Sequence, residues 1–130
     1  MVLITGGSFQ GKQAFAKETF QITEGIADGA AADFDELCRA DLIINFEQWI
    51  ARELREKNHA AVKAGQLAEE NPGVVICAAE LGCGIVPADA FDRQWRETTG
   101  RICCMLAEKS DAVYRVICGI GTKIKGEDKE

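Results

Sequence analysis

The stretch Gly6-Gly-Ser-Phe-Gln-Gly11-Lys12 has the spacing G-x-x-x-x-G-K. Ahead of it stands a short apolar, β-branched run, Met1-Val-Leu-Ile-Thr5, and behind it helix-forming residues from Lys12 to Phe20. A glycine loop between a strand and a helix suits phosphate binding. Backbone N–H groups of the loop and of the helix N-terminus converge on anionic oxygens, and the lysine reaches the outer phosphates. The expected nucleotide-binding set is therefore Gly6, Gly7, Ser8, Phe9, Gln10, Gly11, Lys12 and Gln13. Gln13 departs from the pattern, because a Ser or Thr there would bring a compact hydroxyl to Mg²⁺. An amide oxygen also ligates hard cations, with a longer reach. A glycine turn with an incidental lysine is the other reading of the same residues.

Phosphoryl transfer also needs an acidic group near the metal, at another strand end. Glu80 follows the apolar run Val74 to Ala79 and precedes Gly82-Cys-Gly84, which places it in the crevice. It is the expected metal-side acid, acting with Gln13, and Lys12 and Glu80 form the expected catalytic pair. Glu47, after the run Asp41-Leu-Ile-Ile-Asn-Phe46, is a second candidate, and equally a first-turn glutamate favoured by the helix dipole. His59 is the chain's one histidine. The cysteines are Cys38, Cys77, Cys83, Cys103, Cys104 and Cys118, and no pair has the C-x-x-C spacing of a zinc or redox site. Cys77 and Cys118 close apolar runs, so the expectation is reduced, buried, structural thiols.

Composition limits what else the chain can be. Its 130 residues, 47% hydrophobic and 28% charged, suit one domain with a real core, ending in a solvated tail over 126–130. The 15 Lys and Arg against 21 Asp and Glu leave a net charge of −6. That balance argues against a nucleic-acid binder, which needs a basic face to displace counterions from phosphates. Apolar runs of about six residues cannot span a bilayer. The chain opens on Met1-Val-Leu-Ile without a basic leader, so a cytoplasmic location is expected.

The elements that must position these groups follow from pattern and punctuation. Strands are expected at Met1–Thr5, Asp41–Phe46, Val74–Ala78 and Asp111–Cys118. Gln21–Ala32 reads mostly as loop with room for a short strand. Helices are expected over Lys12–Phe20, over Ala31–Ala40 with Asp33 as N-cap and Glu36 at the capping-box position, and over Glu47–Glu69 with a break at Lys57-Asn58. A long helix opens at Pro87 and Asp89 and runs to Lys109. Strands alternating with helices predict an α/β sheet, largely parallel and covered on both faces, with ligands at the carboxyl ends of its strands.

Three stretches, Glu80-Leu-Gly-Cys-Gly-Ile-Val-Pro87, Arg96-Glu-Thr-Thr-Gly-Arg101 and Gly119-Ile-Gly-Thr-Lys-Ile-Lys125, together with Leu3-Ile-Thr-Gly-Gly and Gly11-Lys12, carry a family likeness. The chain resembles the adenosylcobinamide kinase / adenosylcobinamide-phosphate guanylyltransferase family of vitamin B12 assembly, most closely from Val74 to Lys125. The resemblance implies a P-loop type three-layer α/β sandwich with a mostly parallel sheet of about five strands, assembled as a homo-oligomer, a trimer. It implies a transferase that uses ATP or GTP, with Mg²⁺, to phosphorylate the aminopropanol hydroxyl of adenosylcobinamide or another corrinoid. A second activity of the family moves GMP from GTP onto that phosphate through a histidine. By matching positions, Gly6, Gly7, Gly11 and Lys12 cradle phosphates and Glu80 is the acid near the metal. Gly82, Gly84 and Pro87 shape the adjoining loop, and Arg96 and Arg101 lie on the long helix. Departures fall where chemistry is done. Gln13 replaces a hydroxyl, Ala79 and Cys103 replace asparagines, and Asn45 falls about where the family has a strand-end glutamate. The contracted segment Gln21–Arg39 has no histidine, so covalent guanylyl transfer lacks its nucleophile. A catalytically impaired member that holds nucleotide or corrinoid as a binding or regulatory protein is the alternative.

Overall fold

The computed structural model describes residues 1–7, 10–81 and 89–126. Side-chain alternation in its central strands sorts the core into two halves. In β1 (Val2–Gly6) Leu3 packs to one side of the sheet and Ile4 to the other. In β3 (Leu42–Ile44) the same division separates Ile43 from Leu42, and in β4 (Val75–Ala79) it separates Ile76 and Ala78 from Val75 and Cys77. Strands apolar on both faces must be covered on both faces. β2 (Ile26–Asp28), β5 (Ala112–Ile117) and β6 (Ile120–Lys125) complete a six-stranded sheet in the order β2-β3-β4-β1-β5-β6. Every pairing is parallel except that of β5 with β6.

On the Leu3 face lie α2 (Phe34–Arg39), α3 (Phe46–Arg55), α4 (Ala60–Glu70) and α5 (Ala90–Lys109), which bury Leu37, Trp49, Ile50, Leu67, Ile102 and Leu106. On the Ile4 face α1 (Lys12–Thr19) buries Ala16, and Phe15, Phe20 and Ile22 pack around it against Tyr114. The result is the expected α/β three-layer arrangement with a mostly parallel sheet. The Asp33 carboxylate accepts the Glu36 N–H at 2.9 Å, and the Asp89 carboxylate accepts the Phe91 N–H at 2.7 Å, so both expected caps form. The helical run after β3 does break near Lys57, which sits at φ 56° between α3 and α4.

Two features differ from the sequence reading. The sheet has one strand more than expected, because β5 turns back through Cys118 (φ 51°) and Gly119 (φ 78°) into β6. Two consecutive positive φ values make the two-residue hairpin whose twist matches that of the strands. Cys118 is therefore exposed at a turn, and Cys104 is exposed on α5; only Cys77 is fully buried among the described thiols. The short strand in 21–32 is real, spanning Ile26–Asp28 and pairing with β3. Pro87 and the tail residues Glu127–Glu130 lie outside the described residues. No described helix is long and apolar enough to cross a membrane.

The Leu3 half of the core is organised around Trp49, whose ring stacks on Phe46 at 5.1 Å and faces Phe34 at 6.4 Å. Trp49→Ala removes the largest fully buried side chain. It is expected to cost about 3–5 kcal/mol, read as a lowered urea midpoint.

Candidate functional site

β1 delivers the chain into the loop through Gly6. A Cβ on Gly6 would stand 2.4 Å from the carbonyl oxygen of Val116, and φ is +148°, so only glycine lets the loop leave beside β5. The loop re-enters helix at Gly11, the N-cap of α1, in the left-handed region at φ 88°. Between them Gln10 fastens the loop to the β5–β6 turn. Its carbonyl accepts the Gly119 N–H, and its side-chain Oε1 accepts the Cys118 N–H, both at 2.7 Å. Gly11 also lets the two segments touch, since a Cβ on it would lie 3.1 Å from the Gly119 Cα. Gly121 is required for another reason: a Cβ there would collide with the Phe15 ring. Gly11 and Gly121 thus seat the hairpin against the loop and against α1, and Gly119 supplies the positive φ of its turn. Lys12 folds back over the loop, its Nζ donating to the Gly7 carbonyl at 2.7 Å. Ser8 and Phe9 lie outside the described residues, as do Gly82 and Gly84.

Behind the loop opens a cavity of about 600 Å³, lined among others by Gly11, Lys12, Gln13, Asn45, Glu47 and Cys77. Its acidic wall comes from the start of α3. Asn45 takes a left-handed conformation (φ 54°), and its side-chain Nδ2 donates to Asp28 at 3.1 Å. That turn starts α3 at Phe46, and Glu47 follows in its first turn. Glu47 is only 5% exposed, and its Oε1 accepts the Ala79 N–H at 2.9 Å, tying α3 to the end of β4. Trp95 of α5 donates to the Glu47 carbonyl at 2.8 Å and fixes the same turn from the other side. A buried carboxylate held by a backbone donor opposite a lysine-headed loop can face a metal-bound phosphate. Cys77 lies beneath it. Burial pushes this thiol up to about 12, with Lys12 lowering and Glu47 raising it, so the thiol stays protonated and inert at neutral pH.

Glu80 lies elsewhere. Alternation along β4 puts Cys77 and Ala79 on the loop side and Ala78 and Glu80 on the α5 side. There Glu80 takes a two-point ion pair from Arg115, Nε to Oε1 at 2.9 Å and Nη2 to Oε2 at 3.0 Å. It lines a separate cavity of about 190 Å³ under α5, while its backbone N–H donates to the Gly6 carbonyl at 2.9 Å. The structure therefore brings Lys12 and Gln13 together with Glu47, and not with Glu80. Lys17 and Gln48, absent from the sequence-level set, also border the loop cavity. Their signal was helical spacing: each stands within two turns of a residue that faces it. His59 is exposed and stands at the N-cap position of α4, beyond the end of α3 opposite Glu47. Among the described residues no three His, Cys, Asp or Glu side chains converge as a metal cluster.

The comparisons with known proteins agree on one family. The family described as cobinamide kinase / cobinamide phosphate guanyltransferase (CobU) matches residues 28–124. Over 52 residues the chain is 44% identical to the bifunctional adenosylcobalamin biosynthesis protein CobU of Salmonella typhimurium strain LT2, a stretch covering 40% of this chain and 29% of that protein. The protein of the same name from Escherichia coli K12 is 42% identical over 52 residues, with the same two shares. The aligned stretch thus spans less than a third of these curated relatives. The family match takes in about three quarters of the chain, from β2 through most of β6, and the chain belongs to the cobinamide kinase / cobinamide phosphate guanyltransferase family.

Proposed function

We propose that this chain is a nucleotide-dependent kinase of the cobinamide type, acting in cobalamin biosynthesis or salvage. The observation that carries the reading is the juxtaposition, around one cavity, of a glycine loop in glycine-only geometry, Lys12 at the head of α1, and the buried carboxylate of Glu47. On this reading the loop amides and the α1 N-terminus hold the triphosphate of ATP or GTP. Lys12 leaves the Gly7 carbonyl to bind the outer phosphates. The acceptor hydroxyl oxygen attacks the terminal phosphorus, the bond to the bridging oxygen breaks, and the nucleoside diphosphate leaves. The acceptor's proton passes to solvent or to the transferred phosphoryl group. Gln13 and Glu47, an amide oxygen and a carboxylate lining the same cavity, would hold the Mg²⁺ that accompanies the nucleotide, and the ion would neutralise phosphate charge. Gln13 reaches further than a hydroxyl and holds that ion less firmly, so turnover slower than in a member with Ser or Thr is expected.

The proposal covers the kinase reaction. For guanylyl transfer through a histidine, the chain's His59 stands at the start of α4, past the end of α3 opposite Glu47.

Nucleotide titration of Lys12→Ala tests the reading. Loss of the charge-assisted contacts is expected to weaken ATP and GTP by about 1.5–3 kcal/mol, which is roughly 10- to 150-fold in Kd. An unchanged affinity would remove the loop from the site.

A further inference from the structure

We propose that Arg52 is a positioning residue for Glu47: with Asp28 and Gly29 it locks the turn after β2, residues 28–32, onto the start of α3, and so fixes the carboxylate that lines the loop cavity. Three contacts build this joint.

The first comes from Arg52, half-buried on α3 and without an ion pair among the described residues. Its Nη1 donates to two backbone carbonyls, that of Gly29 at 3.0 Å and that of Ala32 at 2.7 Å. A guanidinium is the side chain of choice for carboxylates, and here its charge-assisted bonds go to the chain instead, one at each end of the turn. The second is a close approach. The Gly29 N–H donates to the Ile44 carbonyl at 2.8 Å, and a Cβ on Gly29 would stand 2.4 Å from the Asn45 carbonyl oxygen. That same oxygen accepts the Gln48 N–H at 2.9 Å, which closes the first turn of α3. The third is Asp28. Its Oδ1 accepts the Ala30 N–H at 2.9 Å and the Asn45 side chain at 3.1 Å, and its backbone carbonyl accepts the N–H groups of Ala31 and Ala32.

Asn45 and Arg52 are about two helical turns apart, so the 28–32 turn grips α3 twice along one side, and Glu47 lies between the grips. From the other flank the Ala79 N–H holds the Glu47 carboxylate and Trp95 holds its carbonyl. The first turn of α3 is thus pinned from β2 on one side and from β4 and α5 on the other. Releasing the β2 side lets the carboxylate shift, and a displacement of about 1 Å at a reacting site costs up to about 100-fold in rate. None of the three contacts touches β1, the glycine loop or α1, so nucleotide affinity should not depend on them. That Glu47 serves phosphoryl transfer rests on the kinase reading. The grip on its carboxylate does not.

Amide hydrogen exchange tests the joint without turnover. The Ala79 N–H is bonded to Glu47 and its neighbour, the Glu80 N–H, to the Gly6 carbonyl, so the ratio of their exchange rates reports on Glu47 apart from global stability. Arg52→Met keeps an apolar stem and loses the donors, and Gly29→Ala pushes on the Asn45 carbonyl from the opposite side. Each is expected to raise the ratio about tenfold through local opening. In the kinase assay each should lower kcat on the order of tenfold and raise the Mg²⁺ concentration for half-maximal rate, with ATP and GTP affinities unchanged. Arg52→Lys should stay close to the parent in ratio and kcat, because one nitrogen serves both carbonyls and an ammonium is one nitrogen with three donors. An unchanged ratio in both Arg52→Met and Gly29→Ala would overturn the proposal, and so would a loss of nucleotide affinity in step with kcat. A raised ratio in a protein without turnover, or with kcat and Mg²⁺ requirement unmoved, would leave the grip on Glu47 standing and remove Glu47 from the reaction instead.

Discussion

Glu47→Gln is expected to lower phosphoryl-transfer turnover on the order of 100-fold, with nucleotide affinity nearly unchanged, because it removes the one buried carboxylate that faces Lys12 across the cavity. The substitution is nearly isosteric, and the amide oxygen can still accept the Ala79 N–H, so the wall keeps its shape and loses its charge. The Mg²⁺ requirement separates this from a purely structural effect: the variant should need a markedly higher concentration for half-maximal rate. Glu80→Gln is the control. It weakens an ion pair to a half-exposed arginine, an interaction worth about 1 kcal/mol or less, and should leave the Mg²⁺ dependence where it was. If Glu80→Gln shifts the Mg²⁺ requirement and Glu47→Gln does not, the acid of the site is Glu80.

Gly6→Ala is the second large effect. The new methyl would lie 2.4 Å from a backbone oxygen of β5 at a residue whose φ of +148° already disfavours any side chain. Neither neighbour is the far end of a flexible group, so the strand or the loop must move. Adding the backbone strain to the overpacking gives a destabilisation of about 3–5 kcal/mol. Gly7→Ala provides the comparison: its Cβ would meet the Gln10 side chain at an ordinary 3.5 Å. A urea series on the two variants should show a large drop in midpoint for the first and a change of about 1 kcal/mol or less for the second. Comparable losses would mean that the close approach of Gly6 to Val116 is not what shapes the loop.

The unit from β1 through the loop to α1 is legible in the sequence because an apolar run, a glycine pair and a helix-forming segment follow one another without interruption. The caps Asp33 and Asp89 are legible for the same local reason. β6 is not, although Ile120-Gly-Thr-Lys-Ile-Lys125 alternates like a strand. Its turn is Cys118-Gly119, without the Asn-Gly or Asp-Gly that ordinarily announces such a hairpin, and its glycines read first as a family motif. The exposure of Cys118 follows from that same turn.

The acid of the site needed more than local pattern. Glu47 and Glu80 both follow buried strands, and chain order alone ranks Glu80 first because glycines follow it. Parity along β4 separates them: Ala78 is buried on the α5 side, and Glu80, two residues on, must share that side. There the parallel registers of β4 with β1 and of β1 with β5, which align Ala78, Thr5 and Arg115, supply its cation. A partner two strands away is set by register, which no local window contains.

The measurement that tests the account most directly is isothermal titration of the protein with ATP and with GTP, each with and without Mg²⁺, followed by the same mixtures plus adenosylcobinamide assayed for a phosphorylated product. The account predicts Mg²⁺-assisted binding of at least one nucleotide and slow formation of adenosylcobinamide phosphate that falls when Lys12 or Glu47 is replaced. Nucleotide binding without product would make the chain a nucleotide-holding relative that acts through another protein. No binding of either nucleotide would contradict the account at its centre, leaving the glycine loop as scaffold.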